Sequence, residues 1–443
     1  MPEAKSVVRR IYANLGRLLG GKAAAGVISL VYLAIAARAL GRVEYGVLVL
    51  VHTYVMTVAG IIEFPGWHAV VRYGAQTLAD DDRPRLTRLI TFAGLVEAGC
   101  GLLAIAAAAL LAPVVGPRLG WPPAAMALAV PYSLAALSTI RATPAGYLQL
   151  TGRFDLLGLH NLVAPTVRLA GAAVAALTHA GLRGFLIAWL VAALAEWIAM
   201  WGLGAFAARG RLARAHLAPG LRGVRRENPG LWRFMWGANI DVTLAELSGR
   251  VVPLAVGFVL GPGAAGLYAV AQRATSVLAQ PAQILGQAAY AELAHLVASG
   301  DRGHGLKAVL RQAVGVALIA AAPVCLVIAL FGQRLAVLIA GEGFAAAGVI
   351  MLWLALARAI LLAGPPMSAA LTALGRPGLS VRANFLSVSV MLLALPLLLQ
   401  WRGLTGAGVQ AVLQALSAVG LLALFLAQAT TARRTGPLGL EAR

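Results

Sequence analysis

Uninterrupted apolar runs of about 20 residues recur along the whole chain, each long enough to cross a lipid bilayer as a helix. The 443 residues are 60% hydrophobic and only 12% charged, whereas a soluble domain of this size carries roughly 25% charged residues. So few charges cannot cover a water-facing surface, which excludes a soluble fold. In lipid every backbone polar group has to be satisfied within the protein, so long apolar runs separated by short polar links predict helices. The expected fold class is therefore an all-α polytopic membrane protein. About twelve transmembrane helices fit between Leu18 and Thr430. The links on one side are too short to hold an extracellular catalytic domain.

A formal net charge of +20 invites a nucleic-acid reading, but the placement of the charges argues against it. With about twelve spans, 25 of the 36 Lys and Arg fall in the termini and in alternate loops on the N-terminal side. Arg141 and Arg153 count among them, and only six lie on the opposite side. This is the positive-inside bias, which places both termini in the cytoplasm and implies no nucleic-acid partner. The apolar run before "AIAA" (Ala34–Ala37) is long for a signal peptide and reads as an uncleaved first span. Cys100 and Cys325 lie inside apolar runs and read as packing residues.

The longest connection, Arg209 to Arg233, is basic and broken by proline, and it divides the chain in two. The expected organisation is an N-terminal six-helix lobe at 1–208, a basic cytoplasmic linker at 209–231 and a C-terminal six-helix lobe at 232–443. The lobes read as parallel repeats around a central cavity. Leu40-Gly41 matches Leu260-Gly261, Pro65 matches Pro281, and Tyr73 matches Tyr290. Pro144 matches Pro366, and Gly152-Arg153 matches Gly375-Arg376, all in order at a nearly constant offset. Transporters built from parallel repeats place the substrate between the halves and expose it alternately to each side.

The N-terminal stretch "NLGRLLGGKAAAGVISLVYLAIAARALGRVEYGVLVLV" resembles polysaccharide flippases of the Wzx type. These belong to the multidrug/oligosaccharidyl-lipid/polysaccharide exporter superfamily. The matching residues are Arg38, Gly41, Tyr45 and Gly46, with Gly266 and Tyr268 in the second half. "LTGR" at Leu150–Arg153 and "LGR" at Leu374–Arg376 add to the likeness. The resemblance implies a two-lobe transporter that moves an undecaprenyl-pyrophosphate-linked oligosaccharide from the inner to the outer leaflet. It also implies a cavity lined by cations from the first, second, seventh and eighth helices.

Charges within the spans carry the independent case, because a charge at a helix centre costs about 2.5–3.5 kcal/mol and needs a cavity or a partner. In the seventh span Asn239, Thr243, Glu246 and Arg250 fall within about 60° of one another, with Glu246 and Arg250 at i,i+4. Asp241 points the other way. In the eighth, Gln272, Ser276, Gln280, Gln283 and Gln287 share a face, with Arg273 at its edge and Pro281 breaking the helix. In the second, Glu63 precedes the break "FPGW", and His68, Arg72 and Gln76 follow at every fourth residue.

Guanidinium groups match phosphate oxygens, so Arg72, Arg250 and Arg273 are candidate cavity residues, with Arg17 and Lys22 at a pyrophosphate entry. Asn239, Gln280 and Gln283 suit sugar hydroxyls. Glu63, Asp241 and Glu246 are candidates for proton or sodium coupling. The plainer reading makes Glu246–Arg250 a structural ion pair and the amides interhelical glue. Arg168 and Arg358 read as packing or snorkelling residues. Glu97 and Glu196 stand alone on their spans and are open to either reading. Arg38 and Arg42 sit beside Glu44 at an external hinge, a gate or a solvated pair, whose second copy "GPGAAG" has lost the charge.

No metal-ligand spacing, nucleophile elbow or phosphate loop is present in the sequence, so the chain reads as a transporter without a bound cofactor. The expected site is the bacterial inner membrane. The expected partners are an anionic lipid-linked oligosaccharide, membrane lipid and possible polysaccharide-assembly enzymes. The competing functions are a cation-coupled multidrug exporter, whose cavity should be more acidic, and a membrane polysaccharide polymerase or ligase, which needs a long external loop. A pure scaffold leaves the two polar stripes without a purpose.

Overall fold

The computed structural model describes the backbone of residues 2–64, 66–209, 223–278 and 304–431, with the side chains of residues 2–19, 237–248 and some positions beside the gaps left out. All regular structure in these segments is helical. The chain forms two compact units, Met1–Gly266 and Leu267–Arg443.

The first unit opens with α1 (Pro2–Ile62). Its apolar part, Gly20–Ile62, is 43 residues long, enough to cross a bilayer twice. The two expected spans are one element, interrupted only at Gly41, which has φ 70 and ψ 177. Side chains other than hydrogen are essentially excluded from that conformation. α2 (Trp67–Ala79) and α3 (Arg83–Arg118) follow. The Asp82 carboxylate accepts the Arg85 N–H and caps α3.

The inward face of α3 is a ladder of small residues, among them Ala93, Gly101, Ala104, Ala108, Ala112 and Gly116. Leu95, Leu102, Leu103 and Leu110 lie on its exposed side. A β-carbon on Gly101 would run into Ile140, and one on Gly116 into Met126. This is the pattern of helices that pack in lipid, where large apolar groups gain nothing by turning inward and small ones allow close approach.

α4 (Pro123–Tyr132) runs into a 3₁₀ turn at Ser133–Thr139, and the chain restarts as α5 (Ala142–Leu150). α6 (Phe154–Leu177) and α7 (Gly181–Ala208) form a tightly packed pair, and α6 also lies along α1. The short α8 (Val224–Glu227) leads into α9 (Leu231–Leu260) and α10 (Pro262–Thr275). Arg88 donates to both Glu227 oxygens at 2.6 and 3.1 Å, Arg85 donates to the Glu227 carbonyl at 2.5 Å, and Tyr73 donates to the Pro229 carbonyl at 3.1 Å. These bonds fasten α8 and the turn that leads into α9 to α2 and α3.

In the second unit, α11 (His304–Ala340) packs on α12 (Ala347–Leu361), and α14 (Pro377–Arg402) packs on α15 (Leu404–Thr431). α13 (Gly364–Ala373) continues α12 after a two-residue break. The core gathers Leu310, Ala370, Leu371, Leu374, Ala383, Leu422 and Ala429. Ser387 and Ser417 share a hydrogen bond of 2.6 Å, a polar tie between α14 and α15.

Among the described residues eight helices are long and apolar enough to cross a membrane, fewer than the twelve or so expected. Two expected spans fuse in α1, and His160, Asn161 and Arg168 lower the hydropathy of α6. Side chains within the expected seventh span and part of the expected eighth span lie outside the described residues. Pro65, Pro281 and Tyr290, which entered the repeat, also lie outside them.

The backbone nevertheless repeats. Gly41 and Gly261 share a left-handed φ, as do Gly120 and Gly341, Gly152 and Gly375, and Gly181 and Gly403. Their separations run from 220 to 223 residues. At the first pair the contact is reciprocal: a β-carbon on Gly46 would collide with the Pro262 carbonyl, and one on Gly266 with the Arg42 carbonyl. Repeat-equivalent residues thus exchange equivalent contacts where α1 crosses the start of α10.

Gly41→Ala and Gly261→Ala should each destabilise the protein by about 1–3 kcal/mol, because alanine is strained at these dihedrals. Gly26, which has open space around it, provides the control. Thermal unfolding of the full chain in detergent should show a lower midpoint for the first two variants and no drop for Gly26→Ala.

Candidate functional site

The interruption between α4 and α5 organises the site. Pro144 has no N–H to give, and its ring excludes a helical carbonyl four residues earlier, at Ile140. The Ile140 carbonyl is taken instead by the Trp201 indole of α7, at 2.8 Å. On the other side of the break, Glu97 of α3 accepts the N–H groups of Ala142 at 2.5 Å and Thr143 at 2.8 Å. Glu97 is 1% exposed. A buried carboxylate on the first amides of a helix is favoured both by those donors and by the helix dipole. Of the two readings open for Glu97, the structure supports the structural one.

Arg141 stands at this break, with extended φ of −146. The charge count places it with the cytoplasmic loops; in the structure the segment Pro123–Leu150 breaks at Arg141 and continues beyond it, because of Pro144. Arg141 Nη1 donates to Glu196 Oε1 on α7. The carbonyl of Glu196 lies 3.1 Å from the ring of His160 on α6.

Arg141 lines a cavity of about 410 Å³ within the first unit. Lys22 and Glu63 come to it from α1 and its C-terminal end, Gln149 from α5, Asn161 from α6 and Arg250 from α9. Trp67, Phe154, Leu157 and Met200 supply apolar wall. Three of the lining side chains are cationic and one is a carboxylate, Glu63. Arg250 also donates to the Met56 carbonyl at 2.7 Å, passing over Gly60, where a β-carbon would strike its guanidinium.

Of the residues anticipated from sequence, Lys22, Glu63 and Arg250 therefore meet in one place. Arg72 does not line this cavity; its guanidinium stacks 4.5 Å from the centre of the Phe234 ring. Arg273 lies in the second unit, half-buried in the last turn of α10. Gln280 and Gln283 lie outside the described residues, as do the side chains of Arg17, Asn239, Asp241, Thr243 and Glu246. At the hinge Arg38 and Gly41 are exposed, while Tyr45 and Gly46 are buried. Tyr268 is buried and Gly266 sits at the close crossing.

Two other arginines have structural roles. Arg168 lies 4.8 Å from the centre of the Trp189 ring and 3.2 Å from His52 Nε2, and it donates to the Tyr32 hydroxyl at 3.4 Å. His52 in turn contacts the Tyr132 hydroxyl at 3.0 Å. Arg358 donates to the Gln272 carbonyl at 3.2 Å. Both fit the packing role expected of them. Arg153 of "LTGR" pairs with Asp155 at 3.0 Å at the start of α6.

Glu97→Ala would leave the Ala142 and Thr143 amides without their acceptor, and each buried unsatisfied donor costs about 1–3 kcal/mol. A marked fall in thermal stability is expected, with Glu97→Gln intermediate because its amide oxygen still accepts one bond. Equal midpoints for wild type and Glu97→Ala would show that water satisfies these donors instead.

Comparison with known proteins places this geometry. The family model for polysaccharide biosynthesis proteins matches residues 35–347. Inner membrane protein YghQ of Escherichia coli (strain K12) is 29% identical over 293 residues, 66% of this chain and 82% of that protein. Among solved structures, an inward-facing multidrug resistance MATE family transporter of the MOP superfamily superposes with a TM-score of 0.73. The identity is 14%, over 93% of this chain and 96% of the other. Lipid II flippase MurJ in an inward closed conformation gives 0.63 at 11% identity, over 95% and 88% of the two chains. The Vibrio cholerae MATE transporter VcmN gives 0.62 at 16% identity, over 98% and 99%. An all-helical, multi-pass membrane protein with the fold of the MATE transporters and MurJ, this chain belongs to the polysaccharide biosynthesis protein family.

Proposed function

We propose that the protein is a flippase for a polyprenyl-pyrophosphate-linked oligosaccharide. It carries this lipid from the cytoplasmic to the outer leaflet of the bacterial inner membrane for cell-surface polysaccharide export. The observation that carries the reading is the cavity in which Lys22, Arg141 and Arg250 outnumber the single lining carboxylate, Glu63. Three cations in an apolar surround attract a pyrophosphate, and arginine forks pair with its oxygens in two-point geometry. The Gln149 and Asn161 amides and the face of Trp67 suit sugar hydroxyls and rings. Membership of a polysaccharide biosynthesis family and the fold shared with a lipid II flippase agree with this substrate class.

In this reading the protein works by alternating access of two parallel six-helix halves, with both termini in the cytoplasm and energy from a proton or sodium gradient. The basic linker at 209–231 faces anionic lipid or polysaccharide-assembly enzymes. The alternative is a cation-coupled multidrug exporter, favoured by the likeness to MATE transporters and by Glu63 in the cavity wall.

Cells lacking the gene should accumulate the lipid-linked glycan on the cytoplasmic leaflet, as read by leaflet-selective labelling. Wild type should restore transport, whereas Arg141→Ala and Arg250→Ala should each lower it about tenfold or more, the worth of a charge-assisted contact. Unchanged lipid glycans together with new sensitivity to cationic dyes would overturn the flippase and establish the exporter.

A further inference from the structure

Glu196 holds Arg141 from behind the cavity wall. Arg141 is about half exposed (45%) and Glu196 mostly covered (17%). Among the described residues, the bond from Nη1 to Glu196 is the one hydrogen bond that the Arg141 side chain makes. The rest of the guanidinium fork has no acceptor among the described residues, at a residue that lines the cavity. The backbone around Arg141 is fixed on both sides by Trp201 and Glu97. The side chain is thus a movable cation on an immovable base, engaged by an anion that a ligand could replace.

We infer that Arg141 is the exchangeable anion-binding residue of the cavity, and that Glu196 is the proton acceptor that couples anion binding to proton uptake. The inference rests on the flippase reading and concerns binding alone: the proton taken up with the anion neutralises charge in the cavity and does not supply the energy for export. In the structure the Glu196 carboxylate neutralises Arg141. When a phosphate oxygen takes the guanidinium, the Arg141–Glu196 ion pair breaks and a carboxylate is left without its cation in a low-dielectric surround. That state is costly, and one proton from water relieves it. The balance is simple: one ion pair is exchanged for another, and one proton is bound per anion.

The other charged or titratable groups around Glu196 are accounted for. His160 on α6 contacts the Glu196 carbonyl, and Glu97 on α3 is occupied by two backbone amides. Arg168 on α6 is close enough to interact with Glu196 through charge but is held by Tyr32, His52 and Trp189. α4 contributes Tyr132, which bonds to His52 of α1. Lys22, Glu63 and Arg250 share the cavity with Arg141. Among the described residues His160, which also lines the cavity, is the titratable side chain in contact with the Glu196 backbone, and so serves as the control.

The test uses the full chain in lipid nanodiscs with geranyl pyrophosphate as the probe, its affinity measured by calorimetry from mildly acidic to mildly alkaline pH. Wild-type affinity should rise as pH falls, by up to about tenfold per pH unit for one coupled proton. Glu196→Gln should bind at alkaline pH as tightly as wild type does at acidic pH, keeping only the slope that comes from the probe's own titration. Arg141→Ala should bind at least about tenfold more weakly at every pH, and His160→Asn should keep the wild-type slope.

Repeating the wild-type titration in buffers of different ionisation enthalpy should give about one proton taken up beyond the probe's own. This readout does not depend on any variant folding. A wild-type slope in Glu196→Gln, a slope lost in His160→Asn, or no excess proton uptake would overturn the coupling while leaving the flippase reading in place. Failure of wild type to bind the probe at any pH would overturn both.

Discussion

The first unit depends on how one interrupted helix satisfies its backbone in an apolar medium. A helix broken by Pro144 releases a carbonyl and two amides, and lipid offers them no partners. Trp201 takes the carbonyl and Glu97 takes the amides. Because α3 and α7 both contribute, the break cannot move without dragging two further helices. Gly94 against Trp201 and Gly204 against Pro144 give those helices the close approach the bonds require. A rigid frame in mid-helix is what allows Arg141 to be held at the wall of a cavity.

Much of the fold was legible because lipid allows few solutions. Apolar runs give helices, and the matched glycines gave a repeat that reappears as matched left-handed dihedrals. The cavity was legible in part. Arg250 was found because it stands on a polar stripe, and Lys22 and Glu63 because they flank apolar runs. Arg141 was missed because its charge sits where an apolar run is broken, and a sequence shows a break and a boundary in the same way. The signal was present in "IRATPAG", where proline follows Ile140 by four residues. Arg72 shows the opposite limit: helical spacing places it on a face, but its aromatic neighbour Phe234 lies more than 150 residues away in the chain.

The same contrast separates the intramembrane charges by role. Arg168 and Arg358 end on rings, hydroxyls and carbonyls of neighbouring helices, and Glu97 ends on backbone amides. Their partners are fixed groups that no ligand displaces. Arg141 ends on a carboxylate beside a cavity. In a membrane protein the presence of a charge therefore says less about function than whether its partner can be exchanged.

The four pairs of left-handed glycines have one more consequence. Each pair marks a point where both copies of the repeat have kept the same backbone turn, while the side chains around them have diverged. Arg42 stands where the second copy has Pro262, and Arg141 where it has Ala363. Shape has been inherited twice and chemistry once. A chain of this kind can vary the side chains of one half freely, because what the two halves share is a set of bends and not a set of contacts.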